Sequence, residues 1–185
     1  MSESTSRFGA RRRGLLVAGG LAGVAAAGGA AWWGWQHAGQ SVGNDAAVQA
    51  FWQQSLLQPD GASLALAQLQ GQPLLVNFWA TWCPPCVREL PLLSRWAQTQ
   101  QGRIQVLGIA VDQASNVRRW LVRQPLAFPV AMLETGGIAT TRALGNVHGG
   151  LPFTLAFDRH GNVRQRKIGE LSEQDLHIWA QQLGA

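Results

Sequence analysis

The chain has 185 residues, 46% of them apolar, which suffices for one ordinary domain plus an appendage. Its formal charge of +5 divides unevenly: Arg7, Arg11, Arg12 and Arg13 against Glu3 place +3 in residues 1–40, and the remaining +2 belongs to basic residues scattered rather than clustered. Scattered charge reads as a solvated surface and argues against nucleic-acid binding, and no internal repeat is visible.

Residues 1–13 are polar and basic, a cytoplasmic tail; residues 14–35 carry no charge and only small or apolar side chains. Such a stretch is long enough to cross a bilayer as one helix, with arginines on its near side and Trp32, Trp33 and Trp35 as an aromatic belt on its far side. The expectation is a retained single-pass inner-membrane anchor with the rest of the chain in the periplasm. A competing expectation, a signal peptide cleaved to leave a soluble periplasmic protein, rests on Ala-x-Ala-like triplets near its end, although the stretch exceeds a usual signal core. Arg12-Arg13-Gly14-Leu15-Leu16 also resembles a twin-arginine export signal. Residues 36–49 read as a tether and residues 50–185 as the folded domain.

Further along, a short helix is expected near Ala46 to Leu57, a turn at Pro59-Asp60-Gly61, and a short alternating strand through Leu64, Leu66 and Leu69. Leu74 to Trp79 is almost unbrokenly apolar, as a strand covered on both faces must be. It runs directly into Thr81-Trp82-Cys83-Pro84-Pro85-Cys86, which holds both cysteines of the chain. The prolines suit a first helical turn, where a missing N–H costs nothing, so a strand delivers the cysteines to a helix start, and Pro91 is expected to kink that helix. Next come a strand over Ile104 to Val111, a helix over Asp112 to Arg123 burying Val117, Trp120 and Leu121, a strand over Phe128 to Met132 and a short helix over Ile138 to Leu144. Strands near 154–157 and 163–168 flank a hairpin turn at Asp158 to Asn162, and a last helix starts at Ser172 with Asp175 three residues on.

Two cysteines three apart at a helix N-terminus can close a disulfide, and the unpaired N–H groups with the helix dipole stabilise a thiolate there. This makes Cys83 the candidate nucleophile and Cys86 the resolving thiol. Zinc usually takes four ligands and finds no second Cys or His pair here, so no metal is assigned. Covalent haem attachment requires a His after the second cysteine, where Val87 stands. A purely structural disulfide would close too short a loop to stabilise much. Redox chemistry is the better reading. Glu89, one turn past Cys86 on the same side of the helix, is a candidate proton carrier, with a surface Glu near a helix start as the bland alternative.

Residues 76–91, Val-Asn-Phe-Trp-Ala-Thr-Trp-Cys-Pro-Pro-Cys-Val-Arg-Glu-Leu-Pro, resemble the active-site segment of the membrane-anchored, thioredoxin-like thiol-disulfide oxidoreductases of the TlpA/ResA type, and the likeness extends over residues 50–183. The resemblance implies an α/β thioredoxin fold: a central mixed sheet flanked by helices, with an extra N-terminal hairpin. It implies that Pro152 is a cis proline facing the cysteines and that Leu151 offers its backbone to a substrate chain, beside Trp82. It also implies that Glu89 belongs to the active site. Asn77 departs from thioredoxin itself, where a buried Asp assists the second cysteine, and this shifts weight to Glu89. A peroxiredoxin would want Thr or Ser where Ala80 stands, and a Sco-type copper site would want cysteines four apart, with His148 only a faint candidate ligand. The implied function is a periplasmic protein-disulfide reductase, monomeric and needing no cofactor. It would serve apocytochrome c or copper-site proteins and be kept reduced by a membrane donor of the DsbD/CcdA kind. A disulfide oxidant or isomerase of the same fold, a metal chaperone and a non-enzymatic binding module remain the alternatives.

Overall fold

The structure, a computed structural model, describes residues 46–100 and 102–184. Residues 46–52 form a first helical segment, α1, followed by strand β1 (Ser55–Leu57), strand β2 (Ser63–Ala65) and a 3-10 turn at Leu66–Leu69. The alternating unit comes next: β3 (Leu74–Trp79), α2 (Pro84–Gln100), β4 (Gln105–Ala110), α3 (Ala114–Arg123) and β5 (Val130–Met132). It is followed by α4 (Gly137–Ala143), the hairpin of β6 (Phe153–Phe157) and β7 (Val163–Ile168), and α5 (Glu173–Gln182). The strands form one sheet in the order β2-β1-β5-β4-β3-β6-β7. β3, β4 and β5 run parallel, as strands joined by helical crossovers must, whereas β6 and β7 add as an antiparallel hairpin on one side and β1 and β2 on the other.

The period of two along β3 divides the core. Leu75 and Trp79 point to the face covered by α2, α3 and α5, where they meet Leu90, Leu93, Val117, Trp120, Leu176 and Trp179. Leu74, Val76 and Phe78 point to the other face, against Phe51 and Trp52 of α1 and Leu144 after α4. Asn77 shares the α2 face and is fully buried there, the one polar side chain in an otherwise apolar strand. α1 is fixed to the β6–β7 hairpin: Phe51 stacks on Phe157 with ring centroids 5.5 Å apart, and Trp52 Nε1 donates to the Gly161 carbonyl at 2.9 Å.

Three local expectations are corrected. The helix expected to reach Leu57 ends at 52, because Leu56 instead pairs with Leu64 across a β1–β2 hairpin and buries its side chain there. The strand expected through Leu69 stops at Ala65 and tightens into the 3-10 turn that buries Leu66. The strand expected from Phe128 starts at Val130; Pro129 brings only its carbonyl to the ladder, accepting from the Gly108 N–H at 3.0 Å. Val48, in the stretch read as tether, packs into the core. α2 continues through Pro91, which leaves the Val87 carbonyl without its usual donor. The last helix has its capping box as expected: Asp175 N donates to Ser172 Oγ at 3.2 Å and Ser172 N to Asp175 Oδ2 at 2.7 Å. Among the described residues no helix is long and apolar enough to cross a membrane; the span expected over residues 14–35 lies outside them.

Candidate active site

β3 ends at Trp79, and the chain turns through Ala80-Thr81-Trp82 before α2 begins at Pro84. That turn is held from below by Asp112, just past β4, whose Oδ2 accepts from the Thr81 N–H at 3.0 Å and from the Thr81 hydroxyl at 2.5 Å. Its Oδ1 accepts from Gln113 N and Asn116 Nδ2, and this set of donors draws the Asp112 pKa below its ordinary value against the opposing effect of burial.

Cys83 and Cys86 are joined as a disulfide, S–S 2.05 Å, across the first turn of α2. Cys86 is fully buried and Cys83 is 4% exposed, while Trp82 beside them is 62% exposed. The Cys86 N–H points at Cys83 Sγ, 3.3 Å away, so a backbone donor and the N-terminus of a helix converge on the outer sulfur. Both are features that stabilise a thiolate.

The second wall comes from β6. Its register sets Phe153 against Phe78, so the residues immediately before Phe153 lie at the same sheet end as the cysteine turn. Those residues are Leu151 and Pro152, joined by a cis peptide bond. Leu151 is half-buried and packs against the cluster that contains both cysteines. The loop leading to them is held by Asn146, a residue the sequence reading passed over. It is fully buried, and its Nδ2 donates to the Gly150 carbonyl at 2.7 Å and to Thr141 Oγ1 at 3.3 Å. Its only sequence signal is an Asn after a Gly, which marks a turn and nothing more specific.

Glu89 is not a surface residue. It lies on the buried face of α2 with Cys86 and is 3% exposed. Its Oε1 accepts from Asn77 Nδ2 at 2.7 Å and its Oε2 from the Leu171 backbone N–H at 2.7 Å. Asn77 Nδ2 also donates to Thr154 Oγ1 at 2.9 Å, which gives a polar thread through β6, β3, α2 and the entry to α5 inside an apolar core. Burial raises the Glu89 carboxyl from 4.5 to about 7, the two hydrogen bonds and Lys167 opposing and Glu170 assisting. Asn77 is therefore a direct partner of Glu89, a link the sequence reading did not foresee, since it took Asn77 only as a departure from thioredoxin that shifts weight to Glu89. Leu171 and Thr154, which complete the thread, were unmarked because their roles depend on contacts 82 and 77 residues away. His148, His160 and His177 are exposed.

A buried dithiol–disulfide turn at a helix start, a cis proline at the same sheet end and a carboxyl poised near neutrality beneath them define the class: a thioredoxin-fold thiol-disulfide oxidoreductase. The chain belongs to the Redoxin family, whose pattern matches residues 38–183. It is 27% identical over 126 residues to thiol-disulfide oxidoreductase ResA of Bacillus cereus, covering 67% of this chain and 70% of that protein. The fold is similar to a thiol:disulfide interchange protein of the thioredoxin family from Chlorobium tepidum TLS, with a TM-score of 0.63 and 30% identity over 71% of this chain and 93% of that one. It is similar also to MTB dsbF, with a TM-score of 0.59 and 26% identity over 71% and 96% of the two chains.

Proposed function

We propose that this chain is a TlpA/ResA-type protein-disulfide reductase acting outside the cytoplasm on exported proteins. The Cys83 thiolate attacks one sulfur of a substrate disulfide seated against Leu151 and Pro152, with Trp82 as an exposed apolar platform. The substrate S–S bond breaks, one substrate thiolate leaves, and a Cys83–substrate disulfide forms. Cys86 then gives its proton to the Glu89 carboxylate and attacks Cys83, breaking the mixed disulfide and releasing the second substrate thiolate. The substrate has gained two electrons and the pair is closed. A dithiol donor in the membrane, of the DsbD/CcdA kind, would reopen it, and apocytochrome c or copper-site proteins fit as substrates.

The observation that carries this reading is Glu89: a carboxyl held at about 7, on the same buried face of α2 as the resolving sulfur, exchanges protons at physiological pH as the second step requires. A reducing direction is supported by the motif itself, which holds no His or Lys to stabilise the Cys83 thiolate further. A second reading, a disulfide donor of the same fold, uses the same Cys83–Cys86 pair and differs in its potential.

The test is trapping plus equilibration. Cys86→Ser should accumulate covalent adducts through Cys83, and Cys83→Ser should form none; adducts found only through Cys86 would reverse the roles. Equilibration with glutathione should place the pair nearer to thioredoxin's value of about −270 mV than to about −120 mV, and a value above about −150 mV would transfer the assignment to the disulfide donor.

A further inference from the structure

The arginines that look scattered in the sequence are gathered by the fold. β7 is the last strand of the sheet, and Arg164, Arg166 and Ile168 are exposed along it, Arg166 and Ile168 on one face and Arg164 at the irregularity opposite Ala156 and Phe157. On that face Arg166 Nε donates to the Leu144 carbonyl at 2.9 Å, beside the loop of residues 145–150 that leads to Leu151 and Pro152. Arg142, at the end of α4, lies over the same loop: a Cβ placed on Gly149 would be 3.1 Å from its Nε. The loop tip, Val147, is 75% exposed, and Ile168 is 47% exposed with its Cγ2 3.5 Å from where a Cβ on Gly150 would stand.

Among the described residues the ion pairs are Arg88–Glu170 and Lys167–Asp175, and neither uses Arg142, Arg164 or Arg166. Arg88 on α2 is thus neutralised by Glu170, whereas the loop that carries the cis proline is bordered by unneutralised guanidinium groups and exposed apolar side chains. Arg164, Arg166 and Ile168 are strung along an edge strand, an arrangement that matches an extended polypeptide better than one compact anion.

We propose that this face selects substrates: extended protein segments with acidic residues flanking the target cysteine, their apolar side chains resting on Val147 and Ile168. The assignment rests on the exchange reaction above. Exposed charges act mainly through the rate of encounter, and salt screens them.

The full-length reduced chain would be presented with two disulfide-bonded peptides identical except for flanking Asp and Glu or flanking Lys. At about 20 mM salt the acidic peptide should be reduced about tenfold faster, and the ratio should fall below about twofold by about 0.5 M. Arg142→Glu with Arg164→Glu should abolish or invert the ratio, while Arg95→Glu, in the groove between α2 and α5, should preserve it. Equal rates for the two peptides, or a preference that survives the double substitution, would overturn the surface. Reduction of neutral 4,4′-dithiodipyridine by the wild-type chain separates the two failures. Normal reduction with equal peptide rates overturns the surface alone, and no reduction overturns the exchange reading and the surface with it.

Discussion

Glu89 is where a single side chain links stability to pH. A carboxyl raised from 4.5 to about 7 in the fold binds its proton more tightly folded than unfolded. The fold is therefore most stable, as far as this group is concerned, below 4.5; it loses stability as pH rises from 4.5 to 7, and the full cost, about 3 kcal/mol, persists above 7. Asp175, lowered from 3.8 to about 2, acts in another window: its contribution is complete above 3.8 and lost only as pH falls toward 2. Urea unfolding of the oxidised chain, in which neither thiol titrates, should show a lower unfolding free energy at pH 8 than at pH 5 by about that amount. Glu89→Gln should flatten this difference and slow substrate reduction at pH 7. An unchanged pH slope in the variant would remove Glu89 as its source. Asn77 bears on the same point, because its Oδ1 is buried without a partner among the described residues while its Nδ2 serves both Glu89 and Thr154. A protonated Glu89 has a hydrogen to donate, and a turned Asn77 amide would accept it.

At the level of elements, the β6–β7 hairpin joins α1 to the strand that carries the cis proline. Gly161, in its turn, has a φ of 80°, and a Cβ there would lie 2.9 Å from Trp52 Nε1 and 2.8 Å from Gln70 Nε2. Alanine at this position meets a left-handed backbone costing about 1 kcal/mol and displaces an indole whose hydrogen bond contributes about as much. Gly161→Ala should therefore lower Tm by about 5–12 °C in a thermal melt; a change under about 2 °C would mean that α1 adjusts freely. The sequence made β3 legible because a run of buried residues leaves few alternatives, and it made the cysteine turn legible because local spacing alone brings two sulfurs together. β1 was not legible: Leu56 and Leu57 fit a helix as well as a strand until Leu64 and Met132 are present to pair with them. The same limit hid Asn146, Asp112 and Leu171, whose side chains or amides acquire meaning only from partners brought near by the sheet.

For the whole molecule, the proposed function places an anchor before the folded unit. On the proposed reading residues 14–35 would supply the apolar length and Arg11 to Arg13 the cytoplasmic charge of an N-terminal anchor. We expect the full chain, produced in bacterial cells, to sediment with the inner membrane after a high-salt wash and to be digested by protease added from the periplasmic side. A soluble product whose N-terminus lies beyond Ala31 would replace the anchor with a cleaved signal. On the proposed reading either outcome leaves the active site among exported substrates, and an anchored enzyme would meet a membrane electron donor by diffusion in two dimensions.

In the proposed exchange reaction, the complete burial of Cys86 beside an almost buried Cys83 leaves the mixed disulfide an internal exit. A sulfur that no other molecule can touch has a single collision partner, so the step that dismisses a bound protein is unimolecular. Its rate is set by a local effective molarity and by a proton on the neighbouring carboxyl, not by the thiol content of the surroundings. Release by this route therefore draws on no thiol from solution, and its rate is shared between this pair and the leaving thiol of the bound protein.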